Sequence, residues 1–567
     1  MKNSFFIFLA MAFLLSLTSP LFSQQPEKEE KIGRELEKEK RLREKIEKKV
    51  EKPEVKKEEK PAEVAPAVAE EKVLVKKITV IGVTFFKDEE IRKIVAPYEG
   101  KELTLKEMQK VADLITELYR SKGYITSRAY IPPQKVESGV LEIRVLEGKM
   151  GELNIKGNRY FKASIFEKRV TLEKGKPFDY NELRRDLTKI NERPDRSAKA
   201  VLTPGKAAGQ TDVLLNVKDR SPLHYGFGYD NYGSRYIGKD RYGISLKHDN
   251  LTGNDDILSL QLQQAEADAY RLRSLHYLFP IDNELEVGFY TARTRLKLGR
   301  EFEDSDSRGK SALYSIFANK TLIDKEDLNL GISAGFDYKD IRNYAAGIET
   351  SRDEMRVVKA GIDYDKSDSY GRTLISNEID FGIPKIMGGL NSKDSRASRA
   401  GSGGKFIKDT LYFIRLQRML WNSTLLWKNQ LQLSPYTLAA AEQFQMGGIN
   451  NLRGYPPAEK VGDRGFAYSF EWSFPPYLIP KSVGVPFSQA KLYDAFRVVA
   501  FYDWAYARIR IPQAGEQKDQ TLKSAGFGLR LNLPEDFSAR IDFGYPIGQT
   551  PSDGNHLHTW VQVTKSF

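Results

Sequence analysis

Two acidic side chains stand where chemistry could be done. In the run Tyr468-Ser469-Phe470-Glu471-Trp472-Ser473-Phe474 the aromatics fall on one face of a period-two strand, and Ser469, Glu471 and Ser473 on the other. Downstream, Tyr502, Trp504 and Tyr506 oppose Phe501, Asp503 and Ala505 in the same way. Side by side, two such carboxylates repel each other and one pKa rises. As an acid and a base they could hydrolyse a glycosidic bond, which requires one of them to stay protonated. Held by a cation, both stay ionised and the pair is structural. The loop Asn451-Leu452-Arg453-Gly454-Tyr455 offers that cation, since a guanidinium can hold two carboxylates at once and a lysine cannot. Other chemistry is poorly supplied. There are no cysteines, the 5 histidines show no paired spacing, and no phosphate-cradling glycine loop occurs. The expectation is no enzyme, no metal and no cofactor.

The elements that would position Glu471 and Asp503 are strands. From residue 221 onward, segments of about ten residues alternate apolar and polar side chains between turn residues, the mark of transmembrane β-strands. Sixteen are expected, beginning near Leu223, Tyr242, Ile257, Tyr270, Leu285, Ser311, Leu328, Met355, Thr373, Phe406, Thr424, Gly465, Arg497, Lys523, Phe537 and Leu557. Several connections after odd strands are long and polar (GREFEDSDSRGK, PKIMGGLNSKDSRASRAGSG), whereas most after even strands are tight (LTGNDD, LIDKED, LPED). That asymmetry fits surface loops and periplasmic turns. Residues 475–495 break the rule: they follow an even strand yet run long, so either a strand is miscounted or this turn is unusual. The expected barrel covers 221–567, with a long loop at 435–463, and is wide enough for a water-filled channel with a polar lining. Aromatic faces meet outer-membrane lipid, and Glu471 and Asp503 project into the lumen.

Upstream, the chain changes character three times. Lys2, the apolar run Phe5 to Leu17 and the small residue Ser23 have the order of a secretory signal over 1–23. Residues 24–72 form a charged helix and a Pro/Ala/Glu/Lys linker. The helical part, 27–52, is either a solvated helix leading into a Pro-stiffened spacer or, at about 38 Å long with 1.5 Å per residue, a helix that rests in the lumen across the membrane zone. Residues 73–149 and 150–220 then read as two small α+β domains of order β-α-α-β-β. In the first, Met108, Val111, Ala112, Ile115 and Leu118 share one helix face. The edge strands of such sheets can accept an extended peptide by β-augmentation. Net charge is +12, but it arises from 89 basic and 77 acidic residues without a concentrated block, so no nucleic-acid partner is expected.

Several separated motifs carry a resemblance. Gly123-Tyr124-Ile125-Thr126-Ser127-Arg128-Ala129-Tyr130-Ile131-Pro132-Pro133-Gln134, with Gly139-Val140-Leu141 and Glu147-Gly148, resembles the signature of the first POTRA domain in two-partner secretion transporters. Asn191, Pro204-Gly205 and Gly209-Gln210-Thr211-Asp212 are similar to that family's second POTRA domain. Leu452-Arg453-Gly454-Tyr455 is similar to the Val-Arg-Gly-Tyr/Phe motif at the tip of a surface loop folded back into the pore, with Leu452 in the Val position. The resemblance implies that Arg453 reaches Glu471 and Asp503. It also implies that the last strand, with Trp560 and the terminal Phe567, is read by barrel-assembly machinery. The implied function is to bind an unfolded exoprotein, an adhesin or a haemolysin, in the periplasm and secrete it through the barrel. A factor of the same superfamily that inserts other barrels into the membrane is the alternative.

Overall fold

The structure, a computed structural model, describes residues 55–57 and 72–567 apart from 137, 326, 487 and 535. The segment 1–23 and the helix expected at 27–52 lie outside the described residues. The described chain divides into an α/β unit ending at Ser221 and a barrel unit beginning at Pro222.

The α/β unit opens with β1 (Val55–Lys57) and continues with β2 (Val73–Val75), β3 (Lys77–Ile81), α1 (Asp88–Val95), β4 (Lys101–Leu103), α2 (Leu105–Ser121), β5 (Arg128–Tyr130) and β6 (Val140–Leu146). In the first sheet β6 is central, parallel to β3 and antiparallel to β5. Residues 73–81 form two strands, broken at Lys76, because the amides of Lys76 and Lys77 both donate to the Gly139 carbonyl and β2 turns off to pair with β4. A capping box starts α2: Glu107 N–H donates to Thr104 Oγ1 at 3.2 Å and Thr104 N–H to the Glu107 carboxylate at 2.8 Å. Its buried face is Met108, Val111, Ala112, Ile115 and Tyr119; Leu118, expected there, is only half-buried. Tyr119 takes the place because its hydroxyl finds a partner inside, donating to Glu147 at 2.7 Å. Burial, and then the Glu147 carboxylate, push the Tyr119 hydroxyl far above the usual tyrosine range. Glu147 also accepts from the amides of Thr84 and Phe85 at 2.6 and 2.9 Å, so one buried carboxylate ties the β3–α1 loop to α2.

The second half follows the expected order with β7 (Lys149–Lys156), α3 (Ala163–Arg169), α4 (Tyr180–Asn191), β8 (Arg196–Pro204) and β9 (Gln210–Asp219). The sheet runs β1-β8-β9-β7, so the outer edge of β8 is occupied by β1 in parallel pairing, Val55 beside Ala200.

The barrel closes over sixteen antiparallel strands: β10 (Leu223–Asp230), β11 (Arg241–His248), β12 (Ile257–Ala265), β13 (Tyr270–Pro280), β14 (Leu285–Lys297), β15 (Arg308–Asp324), β16 (Leu328–Ala345), β17 (Ile348–Asp368), β18 (Gly371–Gly382), β19 (Phe406–Arg418), β20 (Thr424–Leu433), then, past a loop hairpin of β21 (Phe444–Met446) and β22 (Lys460–Gly462), β23 (Arg464–Phe474), β24 (Phe496–Arg508), β25 (Asp519–Leu533), β26 (Phe537–Ile547) and β27 (His558–Ser566). Most strands begin within three residues of the expected positions. The largest departure is β17, which starts at Ile348 and not at Met355, because charged residues from Glu349 to Glu354 hide the apolar alternation. No strand is miscounted at 475–495: the stretch is a long connection ending in the short helix α5 (Leu492–Ala495). β10 meets β27 over Gly226–Asp230 and Gln562–Ser566.

Replacing Glu147 by alanine should strip the Thr84, Phe85 and Tyr119 donors of a buried acceptor and cost the first α/β half about 1–3 kcal/mol. Faster amide hydrogen exchange across Leu105–Ser121 is the expected readout, and unchanged protection would refute the tie.

Candidate functional site: a loop held inside the barrel

The loop from 434 to 463 turns inward. Its tip is a tight hairpin in which the Gly448 amide donates to the Tyr455 carbonyl at 2.9 Å and the Leu452 amide to the Gly448 carbonyl at 3.1 Å. All four residues Leu452, Arg453, Gly454 and Tyr455 are buried. Leu452 and Tyr455 pack with Phe444, Met446, Ala467, Ala505, Ala507 and Leu522. The small alanines on the inner wall make room for the loop. Gly454 is needed for closeness: a Cβ there would lie 2.6 Å from Ser524 Cβ and 2.7 Å from the Tyr545 carbonyl carbon.

Arg453, 2% exposed, is the centre of the contact. Its Nε and Nη2 donate to Asp503 at 2.9 and 2.7 Å, a bidentate pair, and its Nη1 donates to Glu471 at 2.8 Å. Nη2 also reaches Ser469 Oγ at 3.0 Å, and the guanidinium carbon lies 3.4 Å from the Phe501 ring centroid. Ser469 and Glu471 belong to β23 and Phe501 and Asp503 to β24, paired so that Ser469 faces Asp503 and Glu471 faces Phe501. Period-two alternation is therefore what aims all four at one point. The Arg453 carbonyl accepts from Trp560 Nε1 at 2.7 Å, which engages the last strand as well.

Three further charges belong to the cluster, and the sequence reading missed them. Arg530 of β25 donates to Asp542 of β26 at 2.7 Å and to Glu471 at 3.2 Å, and Arg540 Nε donates to Asp542 at 2.6 Å. Three cations, Arg453, Arg530 and Arg540, thus balance three anions, Glu471, Asp503 and Asp542. Their signal was present in the alternation, which puts Ser538, Arg540 and Asp542 on the face opposite Ile541 and Phe543.

A second anchor sits on the opposite side of the loop base, and nothing in the sequence reading foresaw it. Glu442, 2% exposed, accepts from Lys339 Nζ of β16 at 2.7 Å and from Lys408 Nζ of β19. Lys408 also pairs with Asp380 of β18 at 2.9 Å. Asp463, at the loop's end, accepts from the amides of Leu438 at 2.8 Å and Arg510 at 2.7 Å.

The remaining site residues lie apart. Gly123, at φ +99°, follows the Lys122 C-cap of α2, and Tyr124 packs on Phe85 with centroids 4.9 Å apart. Pro132 and Pro133 follow β5 and deliver Gln134, whose amide group bonds both the carbonyl and the N–H of Glu142, at 2.6 and 2.9 Å. Trp560 and Phe567 are on different faces. Trp560 is buried inside, whereas Phe567 is exposed and stacks on Tyr225 with centroids 5.1 Å apart.

Arg453→Ala should free the loop tip and raise single-channel conductance in planar bilayers, with Arg453→Lys intermediate because a point charge loses the bidentate geometry. A double-mutant cycle between Arg453 and Asp503 should return about 1–3 kcal/mol of coupling, and none would remove the clamp. Glu442→Gln, which takes from two buried ammonium groups the carboxylate they share, should cost about 3 kcal/mol. Protease cleavage within 434–463 should accelerate; cleavage at the wild-type rate would show that Glu442 does not hold the loop.

Comparison with known proteins fits this geometry. The family model of the haemolysin secretion/activation proteins ShlB/FhaC/HecB matches residues 209–531, and the ShlB-type POTRA domain model matches residues 73–148. The heme/hemopexin transporter protein HuxB of Haemophilus influenzae is 22% identical over 495 residues, 84% of this chain and 84% of that one. The hemolysin transporter protein HpmB of Proteus mirabilis is 22% identical over 449 residues, 75% of this chain and 76% of the relative. The solved structure of CdiB from Escherichia coli superposes with a TM-score of 0.71 at 19% identity, covering 95% of this chain and 97% of its own, a likeness of fold. The first model spans more than half of the sequence. The chain therefore belongs to the haemolysin secretion/activation family, outer-membrane transporters of two-partner secretion with periplasmic POTRA domains, and is not an enzyme.

Proposed function

We propose that this chain binds an unfolded exoprotein in the periplasm through two POTRA domains, 73–149 and 150–220, and passes it through the barrel to the cell surface. The observation that carries the reading is the way the inner loop is held. Ion pairs and hydrogen bonds on a polar wall fix it, and such contacts can be exchanged for water or for a passing backbone, which a dry apolar plug could not do. The α/β unit supplies the receiving surface: β3 stands at the edge of its sheet and has a strand partner on one side only among the described residues, an arrangement suited to β-augmentation by extended peptide. Relatives named as a heme/hemopexin transporter protein and a hemolysin transporter protein support a secreted-protein partner, a haemolysin-like one among them. The exposed terminal Phe567, stacked on Tyr225 beside the β10–β27 seam, is offered to the barrel-assembly machinery from the lipid side. Folding of the cargo outside supplies the downhill step, since the chain carries no nucleotide-binding motif.

Deleting residues 73–220 should reduce secretion of the partner to background while the barrel still inserts and migrates as a heat-modifiable band. Undiminished secretion by the truncated protein would overturn the role given to the α/β unit.

A further inference from the structure

The outer wall of a transmembrane barrel is apolar where hydrocarbon touches it. On β13 to β16 that band is made by Leu275 and Tyr277, Phe289, Tyr314 and Ile316, and Phe336, aligned across the strands by their register. The residues between them point inward, where Leu272, Tyr290, Ala292 and Leu313 are buried with Ile237 and Phe302. Because POTRA domains are periplasmic in this family, β10 begins on the periplasmic side, and the connections at 266–269, 298–307 and 346–347 are on the cell surface.

Towards that surface the same outward rows change composition abruptly. Arg271 pairs across the ladder with Arg295, Arg295 with Lys310, Lys310 with Arg342, and Arg342 with Arg352, an unbroken row of cations over five strands. In the neighbouring row Arg273 faces Arg293. Like charges directly opposite each other in a sheet destabilise it, so this row needs anions. Carboxylates supply part of them. Asp268 pairs with Arg271, Asp340 with Arg342 at 2.7 Å, and Glu354 with Arg352 at 2.8 Å. Among the described residues no carboxylate pairs with Arg273, Arg293, Arg295 or Lys310, and all four are exposed. Two of them lean on tyrosines: Arg293 donates to the Tyr314 hydroxyl at 2.7 Å, and Lys310 lies 5.1 Å from the Tyr344 ring centroid.

We infer that Arg273, Arg293, Arg295 and Lys310 form a binding site on the outer barrel wall for a phosphorylated glycolipid headgroup of the outer leaflet. The match is one of charge and height. Planar guanidinium groups bind phosphate oxygens two at a time, basic clusters at the membrane boundary hold anionic headgroups, and the apolar band directly below takes the acyl chains. The site is independent of which protein is exported.

The test uses the full-length protein in detergent micelles, titrated with a bisphosphorylated lipid A, with the same glycolipid stripped of phosphate, and with inorganic phosphate. R273Q/R293Q/R295Q is compared with K320Q/K325Q/K366Q, which removes the same charge near the periplasmic end. Bound lipid is counted by native mass spectrometry. The bisphosphorylated lipid should bind wild type and the control variant alike and the arginine variant at least tenfold more weakly, while the stripped lipid binds all three poorly and millimolar inorganic phosphate does not compete. Equal binding of the two lipids, unweakened binding by the arginine variant, or displacement by inorganic phosphate would each overturn the assignment. Should the arginine variant fail to fold, the comparison of the two lipids on wild type still decides.

Discussion

A charged group inside a protein must be paired or it unfolds its surroundings, and this barrel encloses six charges around one loop tip. Arg453, Arg530 and Arg540 face Glu471, Asp503 and Asp542 in equal number, so the cluster is neutral as a whole while no member can be removed alone. Neutrality explains why Arg453 must sit where it does. Without it Glu471 and Asp503 would share a buried wall with too few cations, and the mutual repulsion would fall on the β23–β24 pair itself. The loop completes the barrel's electrostatics as much as the barrel holds the loop.

The same logic recurs at Glu442, where the loop brings an anion to Lys339 and to Lys408, which Asp380 of the wall also pairs. One loop therefore carries a cation to two wall carboxylates and an anion to two wall ammonium groups. Two complementary contacts of opposite sign define its orientation in a way that two of like sign would not, because a reversed loop would meet its own charge on both sides. Apolar packing of Leu452 and Tyr455 against Ala467, Ala505 and Ala507 fills the space between without specifying direction.

Legibility of these features in the sequence follows physical rules. Glu471 and Asp503 are readable because each sits alone between aromatics in a strand with clean alternation. The α2 face is readable for the same reason at helical period, except that Tyr119 outcompetes Leu118 by virtue of a hydroxyl that finds Glu147, a contact across 28 residues that periodicity does not contain. Arg530, Arg540 and Asp542 obey the alternation but do not stand out in it, since a charge on a lumenal face is ordinary until its neighbours are known. Glu442 has no signal at all: Lys339 and Lys408 lie 103 and 34 residues away, and only closure of the barrel makes them neighbours. The start of β17 was hidden because it rises past the apolar zone, where alternation stops reporting on burial.

The bond from Trp560 to the Arg453 carbonyl has a kinetic meaning. It joins residues 107 apart, and the β10–β27 pairing that shuts the barrel joins segments separated by more than 300. Contacts so distant along the chain form late, after local hairpins have zipped, because their loop-closure entropy is met only when most of the structure exists. Since Glu471 and Asp503 lie on β23 and β24 but Asp542 and Trp560 come from β26 and β27, the loop tip finds its full set of partners only in a finished cylinder. A barrel halted one strand short would still offer Arg453 its carboxylates but not the Trp560 donor, so the bond to the Arg453 carbonyl is the contact that records completed strand addition.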